Sequence, residues 1–197
     1  MPINNMTFLI GGDAGQGVES SGAGFARALM RDGLHVFAGP DYHSRIRGGH
    51  NFYTIRVAPQ EIMAHRQAAH LLLALTRESV DLHLEQMVPG AGIVYDPALG
   101  VDEAAIRAHG AVPMPVPVTS IAAEAGDKMM ADTALLGAAA GVAGWHLSTM
   151  ESVIRQNFGR KSQELAETNL KVALAAHAYA QERYAAGFPW RLTPASG

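Results

Sequence analysis

The sequence of 197 residues contains no cysteine. This absence excludes disulfides, thiolate-bound zinc and cysteine-bound iron–sulfur clusters within the chain. The chain has no excess of positive charge either, because its formal net charge is −3, whereas nonspecific nucleic-acid binding needs a basic surface. No apolar run reaches the roughly 20 residues that a membrane-spanning helix needs, and the N-terminus lacks the pattern of a signal peptide. We therefore expect a cytoplasmic protein that binds neither nucleic acid nor membrane.

What the chain does contain predicts a compact α/β domain. Hydrophobic residues make up 48% of the sequence and charged residues 17%, which is typical of a globular protein. A strand pattern at residues 7–10, a helix pattern at 18–30 and a second strand pattern at 35–38 form a β–α–β unit, which builds parallel sheets. Further strand patterns occur at residues 51–57, 70–75, 92–95 and 111–118, the last with a proline at every second position, which suits a sheet edge.

From residue 121 onward the pattern is helical, with predicted helices at residues 129–147, 148–158 and 162–186. We therefore predict a Rossmann-like parallel or mostly parallel sheet with flanking helices (about residues 1–120), followed by a C-terminal helical segment (about 121–186). Residues 187–197 are predicted to be an extended tail or linker. Phe188 and Trp190 in this tail are expected to be exposed and to dock onto a partner, since an extended end has little of its own chain to pack against.

The segment Gly12-Asp-Ala-Gly-Gln-Gly17 has the spacing of the dinucleotide-binding fingerprint, with Ala14 at the second glycine position. It follows the first predicted strand and precedes the first predicted helix, whose N-terminal N–H groups attract phosphate. We call residues 12–17 the glycine turn. The spacing alone is equally consistent with a tight turn that binds no ligand.

A second unusual segment runs from Asp41 to Asn51, and we call it the arginine loop. Asp41 lies where an NAD site has its acidic residue, but the same loop carries His43, Arg45, Arg47 and His50. Arginine offers a planar set of donors for phosphate. This basic cluster favours a ligand with an additional phosphate, such as NADP or the 3′-phosphate of coenzyme A, although a solvated surface loop is the alternative.

The sequence offers a binding site without an evident catalytic one. No Gly-x-Ser-x-Gly segment and no pair of carboxylates suited to acid–base chemistry is found. The histidines of the arginine loop have no further ligands at convincing spacing, so no metal site is predicted. The predicted cofactor-binding residues are Gly12, Asp13, Ala14, Gly15, Gln16, Gly17, Arg45, Arg47, Gly48 and Gly49.

Taken together, the glycine turn and the segment Ser44-Arg-Ile-Arg-Gly-Gly-His-Asn51 resemble the gamma domain of the thiamine-dependent 2-oxoacid:ferredoxin oxidoreductases. The form of this segment is similar to the pyruvate and 2-oxoglutarate type. The resemblance continues through residues 71–75, 88–90, 93–96, 135–141 and 158–161, so it covers nearly the whole chain. The segment Ala131-Asp-Thr133 departs from the family, whose members often have asparagine before the small-residue helix.

The resemblance implies that the chain is a non-catalytic gamma subunit of an enzyme that oxidatively decarboxylates a 2-oxo acid with coenzyme A, giving acyl-CoA and CO2. Thiamine diphosphate, Mg and iron–sulfur clusters are then expected in partner subunits. The implied partners are the alpha and beta (thiamine-binding) subunits and an iron–sulfur subunit, with a flavin subunit where NAD rather than ferredoxin accepts the electrons. Backbone N–H groups of Gly15, Gln16 and Gly17 would bind the phosphate of coenzyme A. Two alternatives stay open, a stand-alone NADP-dependent dehydrogenase and a purely structural subunit without a ligand.

Overall fold

The computed structural model describes residues 2–42, 49–159 and 162–195. Within these ranges the chain forms one six-stranded sheet and seven α-helices. The strands are β1 (Met6–Asp13), β2 (His35–Tyr42), β3 (His50–Ala58), β4 (Ala69–Ala74), β5 (Met87–Tyr95) and β6 (Val112–Pro115). The helices are α1 (Val18–Arg31), α2 (Arg77–His83), α3 (Glu103–Ala108), α4 (Val118–Ala125), α5 (Ala131–Val142), α6 (Ser148–Phe158) and α7 (Gln163–Tyr184).

The strand order across the sheet is β2-β3-β1-β4-β5-β6. Strands β1, β4, β5 and β6 are parallel, whereas β3 is antiparallel to both of its neighbours, β1 and β2. Strand β2 therefore runs in the same direction as β1, and the prediction of a mostly parallel sheet is confirmed. In the Rossmann order the second strand lies beside the first, but here β3 separates them.

The central strands are buried on both faces, as expected for parallel strands that are covered by helices. In β1, Phe8 and Ile10 point into the larger core, which contains residues of α1, α5, α6 and α7, while Leu9 points into the smaller core. Leu72 of β4 and Ile106 of α3 also belong to the smaller core. The sheet thus forms the middle layer of a three-layer α/β domain.

Helix α5 is buried along almost its whole length, as its composition of alanine and glycine predicts, and it packs against α7. A Cβ atom at Gly137 would overlap the carbonyl group of Ala173, and one at Gly141 would overlap the carbonyl of His177. Glycine at these two positions therefore allows the two helix backbones to come into direct contact. The predicted helix at 129–147 is shorter than expected, since α5 ends at Val142.

The expectation of an exposed aromatic tail is wrong for the residues that follow α7. Phe188 and Leu192 are each 1% exposed and belong to the larger core. The Leu192 N–H donates to the carbonyl of Ala143 at 3.0 Å, and the ring of Trp190 lies edge-on to that of His70. The tail packs on its own domain because the fold offers it an apolar surface that lies far away in sequence.

The segment rich in prolines is at the edge of the sheet, as predicted, although it is shorter than expected. Strand β6 ends at Pro115, and helix α4 begins at Val118 instead of the strand continuing to that residue. An edge position tolerates prolines because their missing N–H groups leave no ladder bond unmade. None of the described helices is both long and apolar enough to cross a membrane.

Candidate functional site

The glycine turn lies at the carboxyl end of β1, between this strand and helix α1. Gly12 and Asp13 are the last residues of β1, and Gly15 and Gly17 adopt positive φ angles of 98° and 79°. Residues with a Cβ atom avoid this region, so glycine is required for the turn to reverse within so few residues. Gly17 is the N-cap of α1 and makes no side-chain capping hydrogen bond. The helix therefore begins without the side-chain acceptor that usually satisfies its first N–H groups.

Hydrogen bonds within the turn hold its shape. The Asp13 N–H donates to Oε1 of Gln16 at 2.7 Å, and the Gln16 N–H donates to the Asp13 carbonyl at 3.1 Å. The Gln16 N–H is therefore already engaged within the chain, which the sequence does not reveal. By contrast, no acceptor in the described part of the chain receives the N–H groups of Val18 and Glu19 in the first turn of α1.

The C-terminal end of the arginine loop contacts the glycine turn. The Ala14 N–H donates to the Gly49 carbonyl at 3.1 Å, and His50 is the partner of Asp13 in the ladder between β3 and β1. The structure thus brings the two motifs together at residues 49 and 50. Arg45, Arg47 and Gly48 lie outside the described residues, so their part of the predicted site stays a prediction.

A cleft of about 490 Å³ opens beside the turn, and we call it the α1 cleft. One side is formed by the glycine turn and the start of α1, and the other by the ends of β2 and β3. Its lining residues are Asp13, Gly15, Gly17, Val18, Glu19, Ser20, Ala23, Pro40, Tyr42, Asn51 and Phe52. Its volume is within the range of small-molecule sites.

Three carboxylates surround the start of α1. Asp13 and Glu19 line the α1 cleft, and Oε2 of Glu19 accepts a hydrogen bond from the Tyr42 hydroxyl at 3.0 Å. Oδ2 of Asp132 accepts from the Ser21 hydroxyl at 2.7 Å, and a Cβ atom on Gly17 would lie 2.8 Å from the same oxygen. The described part of the site is therefore acidic, and an anionic ligand there needs added positive charge.

Asp132 lies at the site, although the sequence did not predict it as a site residue. The only sequence signal is that residues 131–133 depart from the related family. The structure explains where this position lies, because α5 begins against the first turn of α1 and directs the Asp132 side chain toward Ser21.

Two buried histidines support the site from below. His50 and His83 are 3% and 0% exposed, and their Nε2 atoms lie 2.7 Å apart. One Nε2 carries a hydrogen and donates the hydrogen bond that the other Nε2 accepts, so the pair fixes the ring orientations of both residues. The ring of Phe52 lies against both imidazoles. His83 at the end of α2 therefore anchors the point where the arginine loop enters β3, a role that no local pattern indicates.

Comparison with known proteins places this site in a family. The family model described as pyruvate ferredoxin/flavodoxin oxidoreductase matches residues 7–179. The chain is 34% identical over 93 residues to the alpha subunit of 2-oxoacid:ferredoxin oxidoreductase 2 from Aeropyrum pernix, a match that covers 47% of this chain and 14% of the relative. It is 28% identical over 177 residues to the ketoisovalerate oxidoreductase subunit VorA of Methanothermobacter thermautotrophicus, covering 88% of this chain and 36% of the relative. The chain thus spans about a third or less of the length of these relatives.

Solved structures show the same fold. The 2-oxoglutarate:ferredoxin oxidoreductase from Magnetococcus marinus, with 2-oxoglutarate, coenzyme A and succinyl-CoA bound, superposes with a TM-score of 0.87 at 24% identity, covering 97% of this chain and 33% of the other. The gamma subunit of the keto/oxoacid ferredoxin oxidoreductase from Geobacter sulfurreducens superposes with a TM-score of 0.74 at 20% identity, covering 90% of this chain and 99% of that subunit. With the family match over most of its length, the chain belongs to the pyruvate ferredoxin/flavodoxin oxidoreductase family.

Proposed function

We propose that this chain serves a 2-oxo acid oxidoreductase that depends on coenzyme A, and that the glycine turn binds a phosphate group of coenzyme A. The observation that carries the proposal is the open N-terminus of α1, where Gly17 provides no side-chain cap and the α1 cleft gives access. Support also comes from the related structure from Magnetococcus marinus, which has coenzyme A bound.

Backbone groups supply the first part of the binding site. The N–H groups of Gly15, Gly17 and the first turn of α1 are the donors available to a phosphate, and the helix dipole places partial positive charge at the same point. The absence of a Cβ atom at Gly15 leaves open space there, with no atom within 4 Å of where a Cβ would lie. A phosphate group can therefore approach the backbone closely.

Arginine supplies the second part. Asp13, Glu19 and Asp132 repel an anion at this position, so the helix N-terminus alone does not suffice. Arg45 and Arg47 follow Tyr42, which lines the cleft, and precede Gly49, which contacts the turn. We place their guanidinium groups on the phosphates of coenzyme A, where paired charged hydrogen bonds are strong.

The chain's part in the reaction is then to bind and orient coenzyme A. The reaction as a whole is the oxidative decarboxylation of a 2-oxo acid, giving an acyl-CoA, CO2 and two electrons. Thiamine diphosphate and iron–sulfur clusters belong to partner subunits in this proposal, in keeping with a chain that has no cysteine to ligate a cluster. The pantetheine thiol must leave this chain and reach the partner's reaction centre.

The sheet order argues against the alternative of a dehydrogenase that uses NADP. In a dinucleotide-binding fold the acidic or basic residue that reads the ribose ends the strand beside β1. Here that neighbour is the antiparallel strand β3, and Asp41 at the end of β2 lies one strand further away. The remaining alternative is a structural subunit without a ligand, which differs from our proposal in binding no coenzyme A.

The test is the double substitution Arg45→Ala with Arg47→Ala in the complex isolated with its natural partners. A charged hydrogen bond contributes roughly 1.5–3 kcal/mol, so we expect the KM for coenzyme A to rise about tenfold or more. The KM for the 2-oxo acid should stay within about twofold, because that substrate binds in a partner in this proposal. Arg77→Ala, at an exposed arginine of α2 that pairs with Asp81, is the matched control.

An unchanged KM for coenzyme A in the double variant would overturn the assignment and favour a structural subunit. A parallel rise in the KM of both substrates would instead show that the arginine loop acts on assembly. Calorimetry with coenzyme A on the same complexes separates binding from turnover.

A further inference from the structure

His83 lies at the end of α2, on the face of the sheet opposite to α1. Val80 of α2 belongs to the smaller core, whereas Phe25 of α1 belongs to the larger one. The His83 side chain is fully buried and is not among the residues that line the α1 cleft. Any effect of His83 on a ligand in the α1 cleft must therefore pass through the sheet.

Helix α2 packs closely against β1. Ser79 lies one turn before His83 and is fully buried. A Cβ atom on Gly11 would lie 2.8 Å from the Ser79 Cβ and 3.2 Å from Cε1 of His50, so glycine at this position leaves room for both side chains. The Thr76 hydroxyl accepts a hydrogen bond from the Ser79 N–H at 3.2 Å and caps the helix. These contacts hold the helix that carries His83 against the strand that ends in the glycine turn.

His83 contacts two residues of β3. Its Nε2 lies 2.7 Å from Nε2 of His50, and its ring lies edge-on to that of Phe52, with the ring centroids 4.7 Å apart. Phe52 lines the α1 cleft. His50 follows Gly49, whose carbonyl accepts the Ala14 N–H of the glycine turn. One histidine thus contacts both a wall of the α1 cleft and the point where the arginine loop meets the glycine turn.

The hydrogen bond between the two imidazoles is directional. One ring donates and the other accepts, and the bond weakens steeply when the donor, hydrogen and acceptor depart from a line. Both rings are buried, so water does not readily replace a hydrogen bond that is lost there. The ring of His50 therefore cannot move away from His83 without a cost in free energy, and α2 fixes the position of the first residue of β3.

From these contacts we infer that His83 is a positioning residue for coenzyme A, an inference that rests on the proposed function. His83 touches no ligand itself and acts through His50 and Phe52. By fixing these two residues it holds the C-terminal end of the arginine loop against the glycine turn, so that donors from both motifs meet the phosphates in one arrangement. Binding groups need such support from the side chains around them, because small displacements weaken their contacts.

The test uses two polar substitutions at His83 that differ in reach. The amide of glutamine extends as far as the Nε2 atom of histidine and can donate or accept, so His83→Gln keeps a partner for Nε2 of His50. The amide of asparagine ends near the position of Nδ1, so His83→Asn does not reach His50. Both variants are studied in the complex isolated with its natural partners, and thermal unfolding confirms that they are folded.

We expect His83→Asn to raise the KM for coenzyme A about fivefold or more, because the end of the arginine loop loses its fixed position. The kcat at saturating coenzyme A and the KM for the 2-oxo acid should stay within about twofold, since His83 contacts neither the reacting atoms nor that substrate in this proposal. His83→Gln should bring the KM for coenzyme A back to within about twofold of its original value. His177→Asn is the matched control, because His177 is a partly buried histidine of α7 whose Nε2 lies 2.8 Å from the Trp145 carbonyl oxygen. It should lower stability without changing either KM.

An unchanged KM for coenzyme A in His83→Asn would overturn the inference and show that the histidine pair only stabilises the fold. An equal rise in the KM of both substrates would overturn it as well, because His83 would then act on assembly. A loss in His83→Gln as large as that in His83→Asn would show that the hydrogen bond is not the cause, with the same consequence. The Arg45 and Arg47 double variant distinguishes these failures from that of the proposed function. If that variant still raises the KM for coenzyme A, the proposed function stands without His83, and if it does not, the proposed function fails too.

Discussion

The two ends of the sheet are built in opposite ways. At the carboxyl end of β1, glycines with positive φ leave backbone N–H groups open, and three carboxylates lie close together. At the amino end, the terminal nitrogens of the Arg56 guanidinium are paired within the chain, whereas its Nε and the buried Thr7 hydroxyl have no partner among the described residues. Arg56 is 3% exposed and donates to the carbonyls of Met6 and Val57 and, at 2.6 Å, to Oδ1 of Asn5.

This difference suggests that the amino end contributes mainly to stability and the carboxyl end mainly to ligand binding. A buried polar group without a partner costs free energy, so the hydrogen bonds that Arg56 donates stabilise the amino end. At the carboxyl end, the backbone N–H groups at the start of α1 make no such hydrogen bonds with the described residues and stay available to a ligand. Substitutions at the amino end should therefore change the free energy of unfolding, while those at the carboxyl end should change ligand binding as well.

The largest effect is expected for Arg56→Ala at the amino end. The substitution leaves the buried carbonyls of Met6 and Val57 without this donor, frees the exposed Asn5 side chain and removes the packed stem of Arg56, so the free energy of unfolding should fall by about 3 kcal/mol. Urea denaturation measures the change. The affinity of the folded protein for coenzyme A should stay the same, since Arg56 lies at the far end of β1.

Arg66 provides the control for Arg56. It is exposed, and the pKa of Arg56 is lowered by burial and, to a smaller extent, by the charge of Arg66. Arg66→Ala removes this repulsion and should leave stability within about 0.5 kcal/mol or raise it slightly. An equal loss in both variants would show that the net charge of this end, and not the buried hydrogen bonds, stabilises it.

A smaller effect is expected for Gly17→Ala at the carboxyl end. The positive φ of 79° strains any residue with a Cβ atom, and this Cβ would also lie 2.8 Å from Oδ2 of Asp132. We expect a loss of about 2 kcal/mol in the free energy of unfolding. Gly15→Ala should cost less, about 1 kcal/mol, because its φ is also positive but its surroundings are open.

Combining Gly17→Ala with Asp132→Ala isolates the steric part. If the carboxylate causes the extra loss, the double variant should recover about 1 kcal/mol relative to the sum of the single variants. Strict additivity would mean that the backbone strain alone sets the cost.

Local patterns in the sequence were sufficient to predict most strands and helices. The short apolar run of β1, the small residues of α1 and the alanine-rich sequence of α5 each indicate a buried environment within a few residues. The order of the strands was not predictable in this way, because the insertion of β3 between β1 and β2 depends on pairing between segments that are distant in sequence. The β–α–β pattern correctly indicated parallel β1 and β2, but it could not show that they are not neighbours.

At the site, too, features set by local sequence were predictable and features set by tertiary packing were not. The glycine turn could be predicted from the sequence because the positive φ angles at Gly15 and Gly17 require glycine. Asp132 and His83 reach the site only through tertiary packing, from α5 and from the end of α2, and nothing in their local sequence indicates a partner. The burial of Phe188 was missed for the same reason, since its apolar surroundings come from other parts of the fold.

The smallest predicted effect concerns His70 at the amino end. Its Nδ1 accepts a hydrogen bond from the Thr7 N–H at 2.9 Å, which only the neutral ring can do with this atom. Burial, together with the charges of Arg56 and Arg66, lowers the pKa of His70 to about 4. In the unfolded chain its pKa is about 6.5. Between these values the unfolded state binds a proton that the folded state does not, so stability falls as the pH decreases from 7 toward 4.

Because His70 is only partly buried, we expect solvent to reduce this contribution to about 1 kcal/mol between pH 7 and pH 5. Urea denaturation at both pH values measures it. His70→Asn keeps an acceptor for the Thr7 N–H but has no proton to bind, so the difference in stability between the two pH values should shrink by that amount. His146→Asn, at an exposed histidine, serves as the control. If His70→Asn retains the full pH dependence, acid sensitivity arises elsewhere, and the amino end would not be the part of the sheet whose internal pairing sets stability.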